Sequence, residues 1–452
     1  MSNKKPEAEI LLDEQLSMAS KTKLTDIITM IIFLILIFGI TVLFWALPDK
    51  EYSGEEKRAL KQMPEISAER FAAEFKQGFN EIFMTYDEKQ AIEKNDSMFD
   101  EIADYYADQF PARNTLRTVK GYTELAMLKR QSNGILFVNG GLVNPDTVTG
   151  EITDENGKSV ERTDEDALST IQKNVTLLNL LNTKIKDNAT LYTAVAGRTV
   201  DVSSSYLPNA FADRNAQFWT RYSDACSKTE LKAIDLLTPL TERYEDGEYV
   251  YYKTDHHWTT LGAYYAYVEI MHSFGETPLS LEDFDIQIQS DDFLGTVYAK
   301  AGISPTGADK VSFFRYDSDN EFTTTIPVGN EITSYQGFYN MSYLDTADQY
   351  SVFLGHDNTS FGGNNPITMI KKNTDEKRET LVLIKDSFAH SVAPFLAYHY
   401  DLIILDMRYY TPDGEEFKTV SQYAEQDDIS KILVLYNMET FMNDSSVMRA
   451  VK

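Results

Sequence analysis

Apolar positions along the chain fall into four patterns, and each predicts a different kind of element. The first is continuous: Ile27 to Leu47 carries no charge over 21 residues, with Ile31-Ile32-Phe33-Leu34-Ile35-Leu36-Ile37-Phe38 at its centre. A helix of about 20 such residues crosses a hydrocarbon core of about 30 Å. The second has helical spacing between Ser67 and Lys129, where Phe71, Phe75, Phe79 and Phe83 recur every four residues and Phe99, Ile102 and Tyr106 follow. That periodicity predicts amphipathic helices, broken near Pro111. A third pattern, Leu168, Ile171, Val175, Leu178 and Ile185, predicts one strong helix from about Asp164 to Lys186, capped by Thr163 or Asp164. The fourth consists of short apolar runs, which predict buried strands at Gly134 to Val138, Leu191 to Ala196, Leu381 to Ile384, Leu402 to Leu405 and Ile432 to Tyr436.

Residues 216–240, Thr259 to Phe274 and Phe388 to His399 have helical composition, and Tyr244 to Tyr252 reads as hairpin-like. Residues 280–350, polar and rich in Asp, Thr and Gly, read as an inserted loop and strand region. Strand, helix and strand alternate through the last third, which predicts an α/β fold around a doubly wound parallel sheet. The resulting plan is a disordered tail (1–23), a transmembrane anchor (24–47), a helical segment (48–133) and a catalytic domain (134–452).

The flanks of the apolar span set its orientation. Lys4, Lys5, Lys21 and Lys23 precede it, whereas Asp49, Glu51, Glu55 and Glu56 follow, among Lys50, Lys57 and Arg58. The positive-inside rule places the N-terminus in the cytoplasm and the bulk of the chain outside, with Trp45 at the outer interface. A cleaved signal would end in small residues, but here the span ends Phe44-Trp45-Ala46-Leu47-Pro48, so an uncleaved anchor is expected. Composition narrows the partners further. With 42 basic against 70 acidic residues the net charge is -28, which repels a nucleic acid backbone. The single cysteine, Cys226, leaves stability to packing.

Chemistry concentrates in two stretches. Asp255-His256-His257-Trp258 supplies a proton acceptor, a carboxylate to orient it and an apolar wall at the start of a predicted helix. Ser387 ends the apolar run Thr380 to Asp386, at the carboxyl edge where open α/β sheets bind ligands. Ser387, His257 and Asp255 can fill the roles of nucleophile, base and orienter, and the strand-to-helix turn offers backbone N–H groups for an oxyanion. Residue types alone leave rivals: Asp386 as orienter, His390 or His256 as base, and Ser387 as a mere helix cap. Asp255, His256, His257, His356, Asp357 and His390 are all possible metal ligands. Adjacent histidines diverge on a regular element, however, and no His-Glu-x-x-His spacing is present, so no metal or cofactor is expected.

Asp255-His256-His257-Trp258 with Lys385-Asp386-Ser387-Phe388 resembles the signature of DHHW proteins, which are similar to the alginate O-acetylation proteins of the SGNH hydrolase-like superfamily. Supporting matches are Glu56-Lys57-Arg58-Ala59-Leu60, Asp108-Gln109-Phe110-Pro111-Ala112-Arg113, Phe293-Leu294-Gly295-Thr296 and Asp406-Met407-Arg408-Tyr409-Tyr410, so the resemblance covers about 51–446. It implies an SGNH-like sheet in which Asp255 orients His257 and His257 activates Ser387, and it selects His257 over His256. It also implies O-acetyl transfer to an exported or cell-surface polysaccharide, beside a membrane-bound O-acyltransferase that supplies the acyl group. Asn358, in the segment after Gly355, and Arg408 become oxyanion or substrate-binding candidates. Lys385 stands where many relatives have glycine, which predicts a crowded turn. A carbohydrate esterase and a non-catalytic polysaccharide-binding or assembly protein are the alternatives.

Overall fold

The computed structural model describes residues 7–81, 97–153, 159–316, 319–328, 331–355, 365–414 and 417–452. They divide into two compact units, residues 1–53 with 58–116, and residues 54–57 with 117–452.

In the first unit a 40-residue helix spans Glu7–Ala46. Its segment Lys23–Ala46 is long and apolar enough to cross a membrane, a test that a signal sequence also passes. The polar tail expected to be disordered is helical from Glu7 onward. Its Glu, Ala, Leu and Met residues favour helix, and extending an existing helix escapes the cost of nucleation. Phe44 stacks on Tyr106 of the helix Met98–Asp108 at 4.9 Å, while Phe71 of the helix Ala68–Glu81 meets Phe99 at 5.7 Å. Phe83 lies outside the described residues. Two of the quoted sequence segments meet here: Arg58 forms a bidentate pair with Asp108 at 2.7 and 2.6 Å, and the same carboxylate accepts from Lys61 N at 2.9 Å.

The second unit is built on an eight-stranded sheet. From one edge to the other its strands are Glu331–Gln336, Phe322–Val328, Ile367–Lys372, Asp401–Leu405, Thr380–Lys385, Lys431–Asn437, Thr190–Ala196 and Lys232–Asp235. The last five run parallel, but the first three join antiparallel, so the sheet is mixed rather than wholly parallel. Two of the three added strands evade a search for apolar runs because they alternate, and the third, Glu331–Gln336, is exposed at Ile332, Thr333, Ser334 and Gln336. In Phe322–Val328 only Phe322, Thr324 and Ile326 turn inward, the pattern of a strand with one wet face. Residues 280–350 therefore hold structural strands, including the antiparallel pair Asp285–Phe293 and Asp309–Arg315.

Both faces of the parallel strands are covered, which explains their near-continuous hydrophobicity. Leu381, Leu383, Leu402, Ile404, Leu433 and Leu435 pack on one side with the helices Thr260–Phe274 and Ala393–Ala397. Val382, Ile384, Leu405, Ile432 and Val434 pack on the other with the helices Asp164–Ile185 and Asn209–Cys226. Thr163 caps the helix Asp164–Ile185, as its sequence suggests.

Other elements depart from expectation. Ile135–Val138 belongs to a separate three-stranded antiparallel sheet. The helical reading of 216–240 contains the strand Lys232–Asp235, which buries only Ile234 and so leaves no apolar run to detect. No hairpin forms over Tyr244 to Tyr252; Tyr251 instead bridges to Trp258. After Thr380–Lys385 the chain makes a 3-10 turn, Ser387–His390, before the short helix Ala393–Ala397 with a proline in its first turn, in place of one helix.

Leu383 is fully buried in the parallel region. Leu383→Ala removes its side chain and leaves a cavity, an expected loss of about 2–5 kcal/mol read as a lower midpoint in urea denaturation.

Candidate active site

The parallel register fixes the site before any side chain is considered. Lys385 pairs with Leu435 and Asn437 with Ala196, so the carboxyl ends of three neighbouring strands lie side by side. Ser387, Arg198 and Asn437 leave those ends and line one cavity of about 480 Å³, together with Asn144, His256, Thr296, Arg408 and Glu439.

The Asp-His-His-Trp stretch is held over that edge from several sides. Asp309 accepts from the backbone N–H of Lys253 at 2.8 Å and of Thr254 at 2.7 Å. Thr259 caps the following helix Thr260–Phe274 by accepting from Gly262 N. Trp258 is fully buried, and its indole N–H donates to the Phe388 carbonyl and the Ser391 hydroxyl, both at 3.0 Å. One side chain thus ties the histidine stretch to the serine turn.

Within this frame the backbone brings three of the predicted residues together. His257 Nε2 lies 2.8 Å from Ser387 Oγ, and its Nδ1 lies 2.6 Å from Asp255 Oδ1, which also accepts from His257 N at 3.0 Å. Since an ionised carboxylate only accepts, the network assigns the proton of neutral His257 to Nδ1 and leaves the Nε2 lone pair facing the serine hydroxyl. The imidazole is sandwiched between Tyr350 and His256, each with ring centroids 3.8 Å away. The Tyr350 hydroxyl donates to the Ser387 carbonyl at 3.1 Å, fixing the serine backbone from the same side.

Asp255 is buried, and its remaining oxygen accepts from Thr296 N at 2.8 Å and Thr296 Oγ1 at 3.0 Å. Burial pushes this carboxyl up, but the two imidazoles and the hydrogen bonds outweigh it and hold Asp255 well below the usual carboxylate range. Gly295 permits the approach: a Cβ there would sit 2.2 Å from the Asp255 Cβ.

The rival assignments have other partners. Asp386 accepts from Phe388 N at 2.9 Å and from Asn437 N and Nδ2 at 2.7 Å each, so it shapes the turn and orients no imidazole. His390 is buried, and its Nε2 is taken up by Lys385 Nζ at 2.6 Å rather than by the serine. Lys385 does not crowd the turn; its ammonium is buried against Asp406 at 3.0 Å. Arg408 clasps Asp406 at 2.9 and 2.6 Å and reaches the cavity beside Ser387. Asn358, His356 and Asp357 lie outside the described residues. Ligand atoms of Asp255, His256 and His257 lie within 4.8 Å of one another. Both His257 nitrogens and both Asp255 oxygens are already engaged by protein groups, an arrangement suited to proton transfer rather than to metal ligation. Thr296, Tyr350 and Asn437 carry no chemical signature in the sequence. Only the Phe293-Leu294-Gly295-Thr296 segment hinted at the first of them.

Two outcomes follow for stability. Asp386→Ala strands three buried donors, at about 1–3 kcal/mol each, and is expected to lower the melting temperature. Burial, reinforced by the Lys385 charge, pushes the His390 imidazole well below its ordinary value. As pH falls through about 6.5 the unfolded chain takes up a proton that the folded chain refuses. The stability contributed by neutral His390 is therefore present above that pH and lost progressively below it. Denaturation measured from pH 7 to pH 5 should show a flatter decline for His390→Gln than for the unaltered chain.

Against known proteins, residues 140–405 match the model of the DHHW protein family. No curated protein matches the chain. Among solved structures it is similar to a DHHW family protein from Eubacterium siraeum, with 18% identity, 70% of this chain and 95% of the other covered, and a TM-score of 0.51. It is also similar to Bacillus cereus PatB1 with a sulfonyl adduct, with 20% identity, 70% and 99% coverage and a TM-score of 0.50. The O-acetyltransferase domain of Pseudomonas putida AlgJ aligns at 12% identity over 69% of this chain and 93% of that one, with a TM-score of 0.38.

Proposed function

The chain belongs to the DHHW protein family, and on that premise we propose that it transfers an acyl group, acetyl being the favoured one, to a hydroxyl of an exported or cell-surface polysaccharide. The observation that carries this reading is the hydrogen-bonded series Asp255, His257, Ser387 opening into a polar cavity. In the first step Ser387 Oγ attacks the acyl carbon of the donor while His257 Nε2 takes the hydroxyl proton, which then passes to the leaving group. In the second, the sugar hydroxyl attacks the acyl-serine, its proton moves to His257, the bond from acyl carbon to Ser387 Oγ breaks, and the proton returns to Oγ. Asp255 holds the imidazole and stabilises its charged form.

The Ser387 backbone N–H and the Arg408 guanidinium are our candidates for the developing oxyanion, Arg408 because Asp406 fixes it at the cavity. We read the five parallel strands as an SGNH hydrolase-like core with three antiparallel strands added at one edge. The span Lys23–Ala46 and the lysines before it support a single-pass anchor with the N-terminus in the cytoplasm and the catalytic unit outside. That placement suits a polysaccharide acceptor and a membrane-bound O-acyltransferase as donor. An esterase would use the same three residues with water in place of the sugar. The cavity of about 480 Å³, lined by amides, hydroxyls and charges, favours an acceptor larger than water.

PatB1 of Bacillus cereus carries a sulfonyl adduct, and sulfonyl electrophiles capture activated hydroxyls, so reagents of that class probe this serine as well. Full-length protein in detergent, treated with a chromogenic acetyl ester or a sulfonyl fluoride, is expected to gain one adduct on Ser387 by intact-mass and peptide analysis. Ser387→Ala should gain none, and Asp255→Asn should form the acetyl adduct about 10⁴-fold more slowly. A folded protein that takes up neither reagent, or takes it up elsewhere, overturns the reading.

A further inference from the structure

The relay leaves one imidazole of the Asp-His-His-Trp stretch without a task. His256 lies against His257 with ring centroids 3.8 Å apart, lines the cavity beside Ser387, and keeps 39% of its side chain exposed. Its Nδ1 is 2.7 Å from Thr296 Oγ1. The Thr296 hydroxyl has a single proton, and Asp255 Oδ2 at 3.0 Å is an acceptor that cannot donate. The hydroxyl therefore donates to Asp255, and its oxygen must accept from His256. That obliges His256 Nδ1 to carry the ring proton and leaves Nε2 as a bare lone pair. Among the described residues Nε2 has no partner, and the ring edge that bears it is turned away from Thr296. Asp255 thus sets the tautomer of both imidazoles, one directly and one through Thr296.

Two imidazoles in contact, their planes tilted by 37°, consequently offer two Nε2 acceptors, one on Ser387 and one at the cavity that Ser387 lines. From this arrangement we infer that His256 Nε2 accepts a hydrogen bond from a second hydroxyl of the acceptor, adjacent to the one that attacks, so that the preferred acceptor is a vicinal diol. This rests on the acyl-transfer reading given above and adds the acceptor's chemistry to it. The attacking hydroxyl hands its proton to His257, forms the new bond to the acyl carbon and displaces Ser387 Oγ. The neighbouring hydroxyl stays intact, hydrogen-bonded to His256, and holds the sugar ring in the attacking pose. Water has no second hydroxyl to offer, so the same contact biases the acyl-serine towards transfer over hydrolysis.

Two substitutions separate this role from a structural one. Asn places an amide where Nδ1 stands and keeps the Thr296 contact without an acceptor at the Nε2 position. Gln places an acceptor near the Nε2 position and gives up the Thr296 contact. Full-length protein in detergent would receive acetyl from a chromogenic ester, with vicinal cyclohexanediol or cyclohexanol as acceptor, and acetylated alcohol and free acetate would be quantified together. The unaltered protein is expected to favour the diol over the mono-alcohol by about tenfold per hydroxyl, the worth of one hydrogen bond. His256→Asn should erase that preference and raise the share of acetate, whereas His256→Gln should retain part of it. Equal use of the two alcohols by the unaltered protein overturns the inference. So does a preference kept by His256→Asn and lost by His256→Gln, which would make His256 a prop for Thr296. Failure to acetylate Ser387 at all is a different result: it removes the acyl-transfer reading itself, and the inference with it.

Discussion

Everything at the site depends on one buried carboxylate being fully satisfied. Asp255 accepts from His257 N, His257 Nδ1, Thr296 N and Thr296 Oγ1, so its charge sits in the interior without an unmet acceptor site. A buried ionised acid left short of partners would take up a proton instead, and both imidazoles would then lose the group that dictates where their own protons lie. The four donors come from two segments about 40 residues apart in sequence. They converge because Gly295 lets the second segment approach to a distance that any side chain would forbid.

A second carboxylate does the same for the other half of the site. Asp386, in the residue before the serine, gathers Phe388 N and both nitrogens of Asn437, so the serine turn is fastened to the end of the next strand. Asn437 in turn caps the helix Met438–Asn443. Neither acid titrates in the proposed reaction. Each converts a backbone detail into a fixed angle between two reacting atoms, and Trp258 joins the two halves by donating across them.

The legible parts of the sequence were those in which chemistry and hydrophobic pattern coincide. Leu381 to Ile384 followed by Asp386-Ser387 announces a buried strand and a ligand-facing edge together, and the helices Asp164–Ile185 and Thr260–Phe274 announce themselves by period and cap. The strands Phe322–Val328 and Ile367–Lys372 stayed hidden because an antiparallel strand with one wet face needs only alternate apolar residues, and threonine fills an inward position at Thr324. His257 could not be told from His256 by residue type. What separates them is a turn geometry that points one imidazole at Ser387 and the other at Thr296, and only the resemblance to the family's Asp-x-His spacing told them apart. Thr296 and Tyr350 were invisible for the same reason, since hydroxyls and rings of their kind recur throughout the chain.

His257 and Ser387 are 130 residues apart, and the strands between them include the three that pair antiparallel. Loops of that length close late, after the entropy of many intervening residues has been surrendered. A helix such as Asp164–Ile185 needs only local contacts, whereas Ser387 meets His257 only once the two distant segments are brought together. A chain in which these two segments are still apart leaves Ser387 without its imidazole partner, and so with a hydroxyl of ordinary reactivity. On the proposed reading, activity therefore reports the long-range pairing of the sheet rather than the presence of its local helices.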